Sequence, residues 1–369
     1  MNVTAKTKPR LPLPCKIIYL LLLASAALYF SFLLSEQFAN WFNQTVAHAL
    51  RVLLSLPTTF LPFSLAETVL LLMPVFLVAA CIFGYRRYCD SWRHVFVYLG
   101  ILLSFLSVIL ILFVWSFAAG YYAPTLDKKL ELEREPVSKE ELAATADLLA
   151  HELETLAPFV ISLENGETVM PYSYDEMNQK LLSAYESASE KYQFLHTFPS
   201  RVKPVMLSVP MSYTHITGVY TFFTGEANIN VHFPDYTVPY TAAHELAHQR
   251  GIAREDEANF TAFLVCLESD DVYIRYSGIL NMYEYVLSAL RSCDVELYRK
   301  SYLSLPAVIR AEEAAYSVFF EKYRENVAAT VTQTTNDTYL KSQGATEGTQ
   351  SYSMVVDLAV ALYRPQFGG

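Results

Sequence analysis

Three long stretches in the first third of the chain contain no charged residue. They run from Ile17 to Ser35, from Thr68 to Tyr85 and from His94 to Leu126. A membrane-spanning helix needs about 20 predominantly apolar residues to cross roughly 30 Å of hydrocarbon. We therefore predict three transmembrane helices, near residues 16–35, 65–85 and 94–118. Buried helices of a large soluble enzyme are a poor alternative, because residues 101–117 are apolar over nearly their whole length.

Basic residues cluster on one side of these predicted spans. Lys6, Lys8, Arg10 and Lys16 precede the first span, and Arg86, Arg87 and Arg93 fill the link between the second and third. The positive-inside rule then predicts a multi-pass protein of the cell membrane with a cytoplasmic N-terminus. Everything after the third span is predicted to be extracytoplasmic. A cleaved signal peptide is disfavoured, because no clear cleavage site follows the first span and further spans come after it.

The segment between the first two spans has a different pattern. Its apolar residues recur at helical spacing beside Asn40, Gln44 and Arg51. This pattern favours an amphipathic helix lying in the membrane interface, near residues 37–55, over a fourth span. We accordingly divide the chain into a transmembrane region, 1–121, and an extracytoplasmic domain, 122–369.

The second region alternates helical and strand patterns, which predicts an α+β fold that is mainly helical with a small β-sheet. Helical patterns cover residues 174–192, 271–292, 306–331 and 351–363. Strand patterns cover residues 204–210, a hairpin over 214–231, and a last strand at 226–233 that ends in Pro234.

His244, Glu245 and His248 form a His-Glu-x-x-His motif that follows this last strand. Residues four apart lie one turn above each other on a helix, so both imidazoles can bind one Zn²⁺ from the same face. Glu245 is then placed as the general base for a zinc-activated water. Thr237 is the predicted N-cap of the helix, and Gly251 is its predicted end. The alternative is that the motif occurs by chance in a buried helix whose histidines hydrogen-bond to other protein groups and bind no metal.

Catalytic zinc usually has three protein ligands, so one more is needed. The segment Glu255-Asp256-Glu257-Ala258-Asn259 resembles the Glu-x-x-Ala-Asp signature of gluzincin-type membrane peptidases. That resemblance implies Glu255 as the third ligand. It also implies that Asn259, one turn later, contacts and orients a ligand histidine, although those peptidases have Asp there. Glu257 remains the alternative ligand. Both glutamates could instead only complement the helix dipole.

Composition limits the partners. With 37 acidic and 27 basic residues the net charge is −10, which argues against nucleic acid. The predicted spans imply the lipid bilayer as a partner, and the resemblance to zinc peptidases implies a peptide or protein substrate. Five cysteines are too few for a disulfide scaffold, although Cys266 and Cys293 share one domain and could pair.

Tyr220, Tyr339 or Tyr352 could stabilise an oxyanion, and His215 or His232 could touch substrate, but ordinary packing explains each of them as well.

Taken with the three spans and the motifs Thr224-Gly225-Glu226 and Asn336-Asp337, the chain resembles an uncharacterised bacterial family of zincin-like membrane proteins, a domain of unknown function. The resemblance extends over nearly the full chain and implies a membrane-anchored zinc metallopeptidase without a known substrate. Two other functions stay open. One is a zincin-like membrane sensor or transducer, and the other is a zinc-stabilised scaffold without turnover.

Overall fold

The computed structural model describes residues 10–324, 326–342 and 351–367, without the side chains of residues 339, 340, 342 and 351–353. In the first third the helices are α1 (Leu13–Leu34), α2 (Glu36–Phe42), α3 (His48–Thr59), α4 (Leu65–Tyr88) and α5 (Trp92–Ser116). They continue with α6 (Leu126–Leu130), α7 (Lys139–Leu156), α8 (Tyr174–Lys191), α9 (Ser208–Ser212), α10 (Thr237–Gln249) and α11 (Glu255–Leu267). The last are α12 (Val272–Cys293), α13 (Val295–Ser304), α14 (Ala307–Glu321), α15 (Val327–Ser342) and α16 (Ser351–Tyr363). The strands are β1 (Ile161–Ser162), β2 (Thr168–Val169), β3 (Val202–Pro204), β4 (Gly218–Thr221) and β5 (Glu226–Ile229).

Three of the described helices, α1, α4 and α5, are long and apolar enough to cross a membrane. Their bounds confirm the three predicted segments to within a few residues. Most side chains on these helices face outward, which suits lipid rather than water. α1 and α5 pack against each other, and Trp115 Nε1 donates to Ser25 Oγ over 2.9 Å between them. The chain is a membrane protein with an α+β fold, as predicted.

Helices α2 and α3, joined by a π-helical turn at Asn43–Ala47, form one bent segment between the first two apolar helices. Its buried side carries polar residues as well as the apolar Ala39, Phe42 and Ala47. Arg51 and Asn43 are buried against the rest of the chain, whereas Trp41 and Leu53 are exposed at 54% and 65%. The segment predicted near 37–55 is therefore helical, and its polar face meets protein.

The main sheet has the strand order β3-β5-β4. β5 pairs in parallel with β3 and antiparallel with β4, so the predicted hairpin is present. The strand predicted at 204–210 is wrong beyond Pro204, because the backbone N–H groups of Met206 and Leu207 donate to the carboxylate of Glu67 instead of to a strand. The chain then turns into α9.

The single helix predicted over 306–331 is also wrong. It is divided into α14 and α15, because Asn326 acts as a helix N-cap, with its Oδ1 accepting from Ala329 N at 2.9 Å. The main core is centred on α10 and α11, whose residues are almost all buried. Helices α7, α8, α12 and α16 complete it.

Candidate metal centre

Helix α10 carries the His-Glu-x-x-His motif and ends in a Schellman motif. Gly251 has φ +95°, its N–H donates to His248 O at 2.9 Å, and Ile252 N donates to Ala247 O at 3.1 Å. The predicted glycine stop is thus confirmed. The predicted cap is wrong: Thr237 is already the first helical residue, and its hydroxyl donates to Pro234 O.

The reversal at Gly251 directs α11 back across α10 and brings one carboxylate to both histidines. Glu255 Oε2 lies 3.3 Å from His244 Nε2 and 3.6 Å from His248 Nε2. These three residues form a group whose ligand atoms all lie within 4.8 Å of one another. Ligand atoms bound at about 2.0–2.2 Å to one tetrahedral zinc ion would lie roughly 3.3–3.6 Å apart, so the donor set and its spacing fit zinc.

Hydrogen bonding fixes one of the two imidazoles. His248 Nδ1 donates to Ile252 O at 2.7 Å, so Nε2 is the nitrogen that faces Glu255 and that would bind a metal after losing its proton. His244 Nδ1 is buried without a partner among the described residues. The same holds for Asn259 Nδ2, while Tyr240 donates its hydroxyl to Asn259 O. The predicted contact from Asn259 to a ligand histidine is therefore not formed in this conformation.

Glu257, the alternative third ligand, is occupied elsewhere. Its Oε1 accepts from Arg254 Nη1 at 2.8 Å and from Leu126 N at 3.0 Å. These bonds tie α11 to the chain segment that leaves the third apolar helix. The structure thus brings Glu255, and not Glu257, to the histidine pair.

Glu245 is 4% exposed and projects from α10 toward β4. A Cβ on Gly218 would lie 2.5 Å from Glu245 Oε1, so only glycine leaves room for this carboxylate. The Tyr220 N–H donates to Glu245, whereas Glu245 Oε2 has no partner among the described residues. Burial raises the pKa of Glu245 to about 7, against the lowering effect of the two histidines. Such a carboxylate can exchange a proton near neutral pH.

Charge within the cluster is strongly coupled. Burial favours the neutral forms of both His248 and Glu255. The attraction between the two opposite charges outweighs that effect and favours the charged form of each. The pKa of His248 is raised to about 9, and the pKa of Glu255 is held well below its ordinary value. The carboxylate therefore remains ionised, as a metal ligand must be.

The strand beside the cluster differs from the predicted one. β5 occupies only Glu226–Ile229 of the predicted 226–233 and is paired on both sides, so it offers no free edge to a peptide. β4 forms the sheet edge, with residues 219 and 221 facing β5 and Thr217 O accepting from Asn230 N. Alternation then turns the backbone groups of Gly218 and Tyr220 outward, beside Glu245.

The apolar region also touches the cluster, which the sequence did not predict. The ring of Phe117 packs edge-on against the His248 imidazole, with centroids 6.0 Å apart. Arg51 donates to Arg250 O at 3.3 Å, and Asn43 Nδ2 donates to Gly251 O at 3.0 Å. The end of α10 is thus held by residues from the membrane segments. The available signal was Arg51, the one charged residue in the sequence between Glu36 and Glu67.

The remaining sequence candidates have ordinary partners or stay undetermined. His215 and His232 both hydrogen-bond to Tyr323. The Tyr220 hydroxyl is buried without a partner among the described residues. The side chains of Tyr339 and Tyr352 lie outside the described residues.

The two cysteines of the C-terminal region do not pair. Cys266 is buried and free, and Cys293 is exposed and free. Burial raises the pKa of the Cys266 thiol, so it is an inert core residue.

Fold and cluster together define a membrane protein that combines three apolar N-terminal helices with a helical region holding a His-His-Glu group, of which His248 is buried and the other two are half-buried. The chain belongs to the family described as "Protein of unknown function (DUF3810)", whose model matches residues 16–360. No curated protein and no solved structure matches the chain.

Proposed function

We propose that this protein is a membrane-anchored, zincin-like zinc metallopeptidase. The observation that carries the proposal is the position of Glu255 Oε2, 3.3 Å from His244 Nε2 and 3.6 Å from His248 Nε2, beside Glu245, whose Oε2 has no partner in the part of the chain that the structure describes. Three protein ligands with an open fourth position are typical of catalytic zinc, whereas structural zinc is closed by four.

Zinc bound by these three residues would supply a Lewis acid that activates water and polarises a carbonyl. Glu245 Oε2 accepts a proton from the attacking water while the water oxygen adds to the scissile carbonyl carbon. The same carboxyl group then delivers that proton to the leaving nitrogen as the C–N bond breaks. The products are a carboxylate and an amine, so no other reactant is required.

The outward backbone groups of β4 support an extended peptide as substrate. An added strand pairs through main-chain hydrogen bonds and makes little demand on side chains. The outward Gly218 backbone groups and the Tyr220 carbonyl lie directly beside Glu245, which already accepts from the Tyr220 N–H, so a peptide paired with them passes the proposed general base. Tyr220 is also a candidate for oxyanion stabilisation, since burial raises its pKa and keeps its hydroxyl protonated.

The compartment is part of the proposal. The basic residues before α1 and between α4 and α5 favour a cytoplasmic N-terminus in the cell membrane and an extracytoplasmic catalytic domain. Alkaline phosphatase fused to the C-terminus should be active. A fusion that is active only for a cytoplasmic reporter would contradict this orientation.

Glu245→Gln is the direct test, because it removes the base and preserves volume. The purified full chain should bind about one zinc per molecule in both forms, and only the wild type should cleave a peptide library. A double His244→Ala and His248→Ala variant that keeps its zinc would place the metal elsewhere. Equal cleavage by Glu245→Gln and wild type would refute the proposed chemistry.

A sensor or transducer is the second candidate, and one observation favours it. Phe117, directly after the third apolar helix, touches His248, so a change at the cluster has a contact through which to reach the membrane. Zinc-loaded wild type that cleaves nothing, yet binds a ligand that shifts the apolar helices, would support the sensor. A non-catalytic scaffold accounts less well for Glu245 Oε2, which has no partner among the described residues.

A further inference from the structure

The histidine cluster lies at the level where the third apolar helix ends. Phe117, one residue beyond α5, packs against His248. Trp115 and Tyr122 flank this position, and both hydrogen-bond to α1. Tryptophan and tyrosine concentrate where hydrocarbon meets water. The cluster therefore lies close to the bilayer surface.

The α2–α3 segment supports the same placement independently. Its exposed side carries Trp41 and Leu53, while its buried side holds Arg51 against the last turn of α10. An apolar face on the outside of the molecule is expected to contact lipid rather than water. The end of the helix that carries both histidines is thus covered by a membrane-surface segment.

β4 leads from the cluster toward the membrane. At its start, Gly218 lies against Glu245. Tyr220 packs on Phe117 at 5.3 Å between ring centroids, and Phe222 packs on Phe113 at 5.3 Å. Phe113 is one turn further into the apolar helix than Phe117. The outward edge of β4 therefore begins at the proposed general base, and the turn that directly follows β4, at Phe222, lies against the third span.

We propose that the substrate is an extracytoplasmic peptide segment that directly follows a membrane anchor. This inference rests on the proposed peptidase function and names its substrate class. Four residues separate Gly218 from Phe222, which corresponds to about 13 Å of extended chain. A peptide paired with β4 would therefore leave the bilayer and reach Glu245 within about four to eight residues.

Strand direction specifies which side of the scissile bond is anchored. Antiparallel pairing is the more stable mode. Since β4 runs toward the membrane, an antiparallel substrate runs away from it. Its N-terminal side then lies at the Phe222 end, so the anchor, a span or a lipid, precedes the cleavage site.

The test uses the full chain in vesicles of phosphatidylethanolamine and phosphatidylglycerol, with co-reconstituted substrates. Each substrate has one hydrophobic anchor helix and a randomised 24-residue segment on the catalytic side, placed either after or before the anchor. The same segments without an anchor serve as the soluble control, and Glu245→Gln as the catalytic control. Mass spectrometry locates the cleaved bonds.

We expect cleavage to cluster within about eight residues after an N-terminal anchor, and to be at least tenfold faster than cleavage of the free segment. Cleavage spread evenly along the segment, or equally fast for the free segment, would overturn the inference and leave the peptidase proposal intact. Preferred cleavage before a C-terminal anchor would overturn the antiparallel pose. If wild type cleaves neither form, the peptidase proposal falls and this inference falls with it.

Discussion

Glu255→Gln should abolish tight zinc binding, whereas Glu257→Gln should not. The two residues are chemically identical and two positions apart, which makes each a matched control for the other. Glu255 Oε2 lies 3.3 and 3.6 Å from the two imidazole Nε2 atoms. Glu257 accepts instead from Arg254 and from Leu126 N.

Glu255→Gln is expected to lower zinc affinity, whereas Glu257→Gln is expected to lower the stability of the fold. Residues behind a metal ligand are worth roughly 10- to 100-fold in affinity, so replacing the anionic ligand Glu255 by a neutral amide should cost about 100-fold or more. That corresponds to about 2.8 kcal/mol or more of binding free energy. Glu257→Gln should leave zinc affinity within about threefold. It should lower the free energy of unfolding by about 1–3 kcal/mol, because a buried charged hydrogen bond is weakened.

Zinc affinity is measured on the full chain in detergent by competition with a fluorescent chelator. Unfolding of the metal-free forms is followed in parallel by a thermal scan, so that lost affinity is separated from lost folding. A large affinity loss only in Glu257→Gln would refute the ligand assignment. Equal losses in both variants, with unchanged melting, would refute the three-ligand cluster.

Three further predictions follow from buried contacts. Gly218→Ala should reduce turnover at least tenfold with zinc content unchanged, since the added methyl displaces the Glu245 carboxylate; unchanged turnover in a peptide assay would contradict it. Arg51→Lys should lower unfolding free energy by about 3 kcal/mol, because a lysine cannot satisfy the carbonyls that this buried guanidinium binds. The exposed Arg299→Lys should change it by less than about 0.5 kcal/mol, and equal effects would argue against the buried contacts. Burial raises the pKa of Glu284 from 4.5 to about 8, so the folded state keeps a proton that the unfolded state releases, and stability should fall as pH rises between these values. Glu284→Gln should flatten that slope in thermal scans from pH 5 to 9, and an unchanged slope would assign it to other groups.

Apolar patterning sufficed to predict the three spanning helices because a helix in lipid satisfies its own backbone hydrogen bonds, so composition over about 20 residues decides the element. The helix of the His-Glu-x-x-His motif was equally predictable, since the i,i+4 spacing and the glycine stop are local features. The first residue of this helix was not predictable. Thr237 has a side chain that suits the N-cap position, but in the structure it is the first residue of the helix.

Tertiary structure decided which carboxylate meets the histidines. Glu255 and Glu257 stand on one helix, and only the reversal at Gly251 rotates the first of them toward α10. Strand order was likewise beyond the sequence. β5 carries the more regular strand pattern, yet β3 covers its far side and leaves β4 as the edge.

The contact between the membrane segments and the cluster also required the tertiary structure. A pattern with period 3.6 identifies two faces of a helix but not what each face meets. Arg51 therefore fitted a helix at the membrane surface equally well with its polar side toward water or toward protein. The fold resolves this by placing the Arg250 carbonyl, at the end of α10, where the buried Arg51 guanidinium can bind it. The two groups are about 200 residues apart, so no local pattern encodes the match.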